Sequence, residues 1–362
     1  MAYPSYMKTS RNFQKRNKLY VLGIRDRVFK SLENFLISSF NILKNCNCGS
    51  EKVIIYASRK GRGVKVSMDE DLFLRALKIH RGNDYILMRF NKIFWILNSF
   101  YLLVTCAFSK KLTIVLIQYV PDFHKSPSLK LLNYCQSHGA VIVKIWYDSS
   151  SERLWQNRIL RLTEYGVNNF IVDTPKLINK FSSNKNKYYY IPPPVVTFDF
   201  IPFAKRNALI HYSGAISKSG TYSLRGEVLD FLIKNRIYPS GTIYEWDETN
   251  ARPTYNQYRN ELSSAKLGLN FTWKEEVNVL PARTWEILSS GVALIQNQSD
   301  AFEGLFIPGT HYLEFSSKEH LVSLIGELKK NTRLVEQIAL AGKKRYEELY
   351  CYKDFWPQVF NE

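Results

Sequence analysis

Acidic residues are the scarce charged class in this chain. Asp and Glu number 32 against 50 Lys and Arg, which gives the 362 residues a formal net charge of +18. A deficit of that size excludes an acidic, solvating protein. It favours partners that carry phosphate: nucleic acid, an anionic membrane surface, or nucleotide and lipid phosphates. An inert basic surface is the bland alternative. Cysteine is sparse too. Cys46, Cys48, Cys106, Cys135 and Cys351 contain no CxxC pair, are odd in number and fit no zinc spacing. Free thiols in a reducing compartment are the expectation. The six histidines form neither HxxxH nor HExxH, so the sequence predicts no obligatory metal and no cofactor.

Long apolar runs are missing as well. The opening "MAYPSYMKTSRNFQKRNK" has no apolar core, so no secretory signal is expected and a cytoplasmic location follows. The most apolar run, "IFWILNSFYLLVTCAF" at 93–108, falls short of the ~20 residues that span a bilayer and holds Asn98 and Ser99. It reads as a buried helix. Lys92, Lys110 and Lys111 flank it, which leaves peripheral contact with the inner membrane face as the alternative. No repeat of solenoid period occurs, and there is neither a Walker loop nor a GxGxxG.

What is present is globular. A hydrophobic content of 45% with 23% charged residues excludes wholesale disorder, and the length calls for two cores. From residue 52 onward, β-branched runs alternate with helical patterns. "KVIIYAS", "DYILMRF", "LTIVLIQYV", "AVIVKIWYD" and "NNFIVDT" read as strands of a parallel sheet covered on both faces. "KYYYIPPPV" closes this segment, and Pro192, Pro193 and Pro194 read as an interdomain hinge. The alternation then restarts with "NALIHYSG", "GTIYEW", "LGLNFTW", "VALIQN" and "HYLEFSS", with helices near 223–235, 254–265, 281–290, 318–329 and 331–349. The expected layout is a basic extension over 1–50, one α/β domain over 51–194, and a second over 205–345. A terminal helix over 346–362 would pack back on the first domain. Two doubly wound Rossmann-like domains facing a cleft place ligands at the carboxyl ends of their strands.

Two segments carry candidate chemistry. In "HYSGAISKSGTYSLRGEVL" a strand ends at Gly214, a small polar loop follows, and a helix begins near Ser223 with Arg225 in its first turn. Backbone amides beside Gly214, with Lys218 and Arg225, suit a diphosphate; an ordinary Gly-Ser loop is the competing reading. In "LPARTWEILSSGVALIQN", Arg283 and Glu286 lie one turn apart on one helix face. A carboxylate there can accept two hydrogen bonds from vicinal hydroxyls, and the arginine can meet a phosphate. A plain surface salt bridge is the alternative. Asp69-Glu70-Asp71 is formally a DxD, but it opens a helix, where acids suit the dipole without any metal.

Together these segments resemble a known family. The run from about 255 to 350 carries a strand ending in Leu269-Asn270, the Arg283-to-Glu286 pair with Gly291 after it, "EFSSKEHL", and "QIALAG" before the last helix. In that order and spacing it is similar to the C-terminal domain of GT-B glycosyltransferases of the glycosyl transferases group 1 family, in particular the spore-protein-like branch. The resemblance covers roughly 207–350. It implies a GT-B-like α/β fold and a nucleotide-sugar donor bound by the second domain. Glu286 would hold the donor ribose, Asn270 and Arg283 would line the same site, Arg225 and Lys218 would approach the diphosphate, and Gly214 would lie below it. The family's earlier glutamate is replaced by Asn278, with Glu275 and Glu276 out of register, so that role does not carry over. Catalytic groups would come from the first domain. Among the loop "SRKGRG", Asp122, His124, Asp148 and Asp173, the choice falls on His124 and Asp148 as bases for an acceptor hydroxyl.

The function expected is transfer of a sugar from a nucleotide-diphosphate-sugar donor. The acceptor would be a glycan, lipid or protein, with an anionic or lipid-linked one suiting the charge. The rival, from another class, is a non-catalytic nucleic-acid-binding protein, supported by the aromatic-basic stretches "RNFQKRNKLY" and "NKNKYYY" but by no recognised module.

Overall fold

The structure, a computed structural model, describes residues 52–57, 68–81, 85–89, 95–109, 111–117, 129–146, 159, 162–163, 166–172, 187–195, 200–216, 223–245, 253–272 and 280–360. These fall into two compact units. One contains two helices, α2 (Trp95–Phe108) and α3 (Leu129–Ser137); the other contains both main sheets.

In the first unit α2 and α3 pack on one another. Leu102, Leu103, Leu131, Leu132 and Cys135 are buried, while Phe100 and Tyr101 on α2 are exposed. The run that reads as a buried helix is therefore a helix with one solvent-facing side. Among the described residues no helix is long and apolar enough to cross a membrane.

In the second unit, six strands form one sheet in the order β2-β1-β3-β4-β5-β6. They are β1 (Lys52–Ala57), β2 (Ile86–Arg89), β3 (Leu112–Leu116), β4 (Val141–Trp146), β5 (Asn169–Val172) and β6 (Lys187–Tyr190), with α1 (Met68–Arg81) between the first two. Pairing is parallel at β1–β2, β3–β4, β4–β5 and β5–β6. All five residues of β3 are buried, as a strand covered on both faces must be. The sixth strand is a departure from the sequence reading, which took "KYYY" only as the approach to the prolines. Its burial alternates, with Tyr188 in and Lys187 and Tyr189 out, the pattern of an edge strand.

The second sheet is β12-β11-β10-β7, all parallel: β7 (Ala208–His211), β10 (Ala265–Asn270), β11 (Ala293–Asn297) and β12 (Leu313–Phe315). β8 (Gly214–Ile216) and β9 (Ile243–Glu245) pair in parallel beside it. A bridge between His211 and Ser240, with Tyr212 N–H donating to the Ser240 carbonyl at 2.9 Å, ties β9's approach to the end of β7. The chain that reads as stopping at Gly214 therefore continues as a strand through Ile216. Taking β7 and β8 as one line, the order is second-first-third-fourth-fifth, and its reversal lies between β7 and β10. Helices α4 (Ser223–Lys234), α5 (Tyr255–Ser263), α6 (Ala282–Ser289), α7 (Lys318–Lys330) and α8 (Thr332–Leu349) complete it.

Local chemistry sets these ends. Thr254 caps α5 through a reciprocal capping box with Gln257. α6 ends in a Schellman turn: Val292 N–H donates to the Ile287 carbonyl at 3.3 Å and Gly291 N–H to the Leu288 carbonyl at 3.0 Å, with Gly291 at φ +65°. The glycine after the Arg283–Glu286 helix is thus demanded by the turn into β11. Buried Arg206 binds three carbonyls, those of Ile201 at 3.0 Å, Ala265 at 3.1 Å and Ser290 at 3.2 Å. One guanidinium so fastens the start of β10 to the end of α6.

Beyond α8, the short helix α9 (Phe355–Phe360) lies against α1. Trp356 Nε1 donates to the Phe73 carbonyl at 3.2 Å, the Phe73 and Phe355 rings are 5.4 Å apart, and Phe360 stacks on His80 at 6.1 Å. One apolar cluster takes in Val53, Val115 and Ile171 of the first sheet, then Phe355 and Trp356, then Trp285 and Tyr346.

Candidate active site

The polar residues of the second sheet gather at one edge. His211 ends β7, Asn270 ends β10, and Gln296 and Asn297 end β11, all of them buried. These are carboxyl ends of parallel strands, and the β7–β10 gap is where the strand order reverses, the usual ligand crevice of open α/β sheets. α6 follows β10 and brings Thr284, Arg283 and Glu286 to that edge. Asn270 Nδ2 donates to Thr284 Oγ1 and Gln296 Oε1, each at 3.0 Å, and Asn297 Oδ1 accepts from Thr272 N–H at 2.9 Å. Asn270 therefore braces α6 and β11 against β10, and both protons of its amide are used within the chain.

Glu286 is buried and accepts a hydrogen bond from the Tyr258 hydroxyl at 2.8 Å. Burial raises the Tyr258 pKa, and the neighbouring Glu286 carboxylate raises it further, so the phenol stays a donor. Burial by itself would lower the Arg283 pKa, but its polar surroundings, with the Glu286 carboxylate as the anionic member, outweigh it, and the guanidinium stays charged. Its Cζ lies 5.5 Å from the Tyr212 ring centroid. A β-carbon on Gly214 would meet Arg283 Nη1 at 2.9 Å and Nη2 at 3.2 Å. The glycine opens the space the guanidinium occupies. Its own N–H is paired with the Thr242 carbonyl at 3.0 Å, so it makes room and does not itself offer an amide.

His211 completes the group. Its pKa is pushed down to about 3 by burial first and by Arg283 second, so the ring is neutral at ordinary pH. Its Nδ1 lies 3.5 Å from Ser240 Oγ, and its ring centroid is 5.9 Å from that of Tyr258. Gly241, at φ +108°, leaves the space beside it: a β-carbon there would meet His211 Cε1 at 2.6 Å and the Tyr212 carbonyl oxygen. Among the described residues, four buried polar atoms at this edge have no hydrogen-bond partner: His211 Nε2, Thr272 Oγ1, Arg283 Nε and Gln296 Nε2. Buried polar groups are nearly always paired, so such a group calls for a ligand or water.

Of the residues expected from sequence, Gly214, Arg283 and Glu286 meet here, and Asn270 stands behind them. Arg225 is half-buried in the first turn of α4. Lys218, His124 and Asp148 lie outside the described residues, as do Asp122, Asp173, Glu275, Glu276, Asn278 and the loop 58–63. Asp69-Glu70-Asp71 does occupy the first turn of α1. Among the described residues no three His, Cys, Asp or Glu side chains could hold a metal ion. Sequence reasoning missed His211 and Tyr258. The first was signalled by a histidine closing an apolar strand ahead of small residues; the second had no signal.

Residues 225–360, most of this sheet and its helices, match the family model described as glycosyl transferase-like. The C-terminal region is thus similar to glycosyl transferase-like domains. Solved structures agree on the fold. HepE of Anabaena, in complex with UDP and glucose, aligns at a TM-score of 0.53 and 10% identity, over 86% of this chain and 98% of HepE. TarM aligns at 0.51 and 12% identity over 69% of this chain, which spans only 54% of TarM. An alpha-glucosyltransferase in complex with UDP and a 13-mer DNA aligns at 0.50 and 12% identity, covering 85% and 99%. No curated protein sequence matches the chain. At such identities these structures bear on the fold alone, and that fold is GT-B, with two Rossmann-like domains.

Proposed function

We propose that this chain is a glycosyltransferase that moves a sugar from a nucleoside diphosphate sugar to a hydroxyl of an acceptor. The observation that carries this reading is the group of buried polar atoms of His211, Thr272, Arg283 and Gln296 that lack a hydrogen-bond partner, at the reversal point of the second sheet. On this reading Glu286 accepts from the donor's ribose hydroxyls, and Arg283, Arg225 and Lys218 relieve charge on the departing diphosphate without an obligatory metal. His124 and Asp148 are the bases we assign to the acceptor side. UDP is the first nucleotide to try, because HepE and the alpha-glucosyltransferase were both solved with it.

The experiment is thermal stabilisation by UDP, GDP, ADP, TDP and CMP, wild type beside Glu286→Ala. A nucleotide at 100 times its Kd stabilises the fold by about 2.7 kcal/mol. Stabilisation by one nucleotide in the wild type and not in the variant supports the reading. Stabilisation by none, or equally in both proteins, overturns it.

The acceptor we propose is anionic. The net charge of +18 supports this, and one neighbour of the same fold was solved with DNA. Sedimentation with anionic liposomes and retardation of an oligonucleotide at low salt separate a lipid-linked acceptor from nucleic acid. Retardation without any nucleotide binding would favour the non-catalytic alternative.

A further inference from the structure

We infer that Tyr258 is a positioning residue for nucleotide recognition: its hydroxyl fixes the carboxylate of Glu286 in the orientation that reads the ribose. The inference rests on the donor-site reading above and adds to it a residue on a different helix. A tyrosine hydroxyl in a core needs a partner. Tyr212 and Tyr346 in this unit find backbone carbonyls, those of Ala215 at 3.3 Å and Val195 at 3.2 Å, and Tyr312 finds Glu314, two residues along its own segment, at 3.2 Å. All three serve packing. Tyr258, fully buried, instead spends its one proton on the carboxylate at the strand-order reversal, at 2.8 Å and across 28 residues of chain.

The geometry around this pair limits its freedom. Tyr258 lies on α5, whose start is fixed by the Thr254–Gln257 capping box. Its ring is tilted against His211 at 5.9 Å and against Tyr255 at 6.4 Å. Glu286 lies on α6, held to β10 by Asn270 through Thr284 and by the close approach of Ile287 to Gly268, where a β-carbon would meet Ile287 Cγ2 at 2.8 Å. Two helices entering the crevice from different crossovers are thus joined by one short hydrogen bond at its floor. A carboxylate recognises a vicinal diol only when its oxygens face both hydroxyls, and a side chain with several rotatable bonds needs something to hold it there. Tyr258 does that without touching the ligand.

The test is Tyr258→Phe, which removes the hydroxyl and keeps the ring. Kd values for UDP and for 2′,3′-dideoxy-UDP are measured on wild type and variant by calorimetry, beside the melting temperature. The expected result is a wild type that prefers UDP and a variant that loses about tenfold of that preference, the size of one hydrogen bond to a charged group. Binding of the dideoxy probe stays unchanged. General loosening of the core would weaken both probes alike, and that result overturns the inference. Preference retained in the variant overturns it too, while the donor-site reading stands. A wild type that binds neither probe, or both equally, overturns the reading and this inference with it. Should the variant unfold, 3-fluorotyrosine at position 258 alone keeps ring and hydroxyl but makes a stronger donor; an altered preference supports the positioning role, and an unaltered one overturns it.

Discussion

Gly214 has no side chain because Arg283 stands where one would be: a β-carbon there would lie 2.9 Å from Nη1 and 3.2 Å from Nη2 of the guanidinium. The two residues come from separate segments, β8 and the first turn of α6, and meet at the edge where the strand order reverses. Gly214→Ala therefore displaces the ends of the Arg283 and Tyr212 side chains, the latter's hydroxyl lying 3.0 Å from the added carbon, with little effect on the backbone. We expect UDP affinity to weaken several-fold while the melting temperature moves by about 2 °C or less. Gly214→Ala on an Arg283→Ala background should cost much less further affinity, because only the contact with the Tyr212 hydroxyl is then left to displace.

Arg206 is a stability residue and not a ligand residue. It is buried on three backbone carbonyls, and burial brings its pKa down to about 10. Arg206→Ala leaves those acceptors unpaired, and a loss of about 3 kcal/mol is expected in chemical denaturation. Nucleotide affinity per folded molecule should not change. Arg206→Lys recovers only part of the loss, since an ammonium lacks the planar fork.

His211 makes stability depend on acid. Its folded pKa of about 3 lies below the ordinary imidazole value of 6.5. Between those two values the unfolded chain binds a proton that the folded chain refuses, so stability rises with pH across that window and is lost as pH falls through it. From pH 6.5 to pH 5 the contribution lost is about 2 kcal/mol. His211→Gln, which cannot titrate, should flatten that part of the wild-type stability curve. An acid limb of equal slope in both proteins would assign it to other groups.

Gly291 tests the turn and leaves the site alone. At φ +65° it occupies a conformation that side chains disfavour, while the nearest atoms to an added β-carbon stand 3.4 Å away, so space is not the obstacle. Gly291→Ala should cost about 1 kcal/mol in denaturation, with UDP affinity unaltered.

Much of the fold is legible in the sequence, because strands buried on both faces are predominantly apolar, as Ile114 to Leu116 of β3 and Ala293 to Ile295 of β11 are. The sixth strand was not legible. "KYYY" gains strand character from the open edge of β5, a partner that no local pattern announces. Arg283 and Glu286 stood out because one helical turn places them on one face, a relation internal to a single element. Their partners His211 and Tyr258 did not, because the three segments meet only through the crossover order of the sheet. Gly291 could be seen but not explained: it follows the charged pair, yet it serves the Schellman turn and not the ligand. Asn270, expected at the donor site, also braces α6 and β11 against its own strand β10.

The bond from Trp356 to the Phe73 carbonyl closes a loop of 283 residues. Residues deep in the first sheet's apolar cluster, Phe355 and Trp356 among them, therefore arrive on the ribosome long after the strands they cover. Until then Phe73 lacks the cover that Phe355 and Trp356 give it. The nascent first sheet must wait, and is open to chaperones and to aggregation, while the whole second sheet is made.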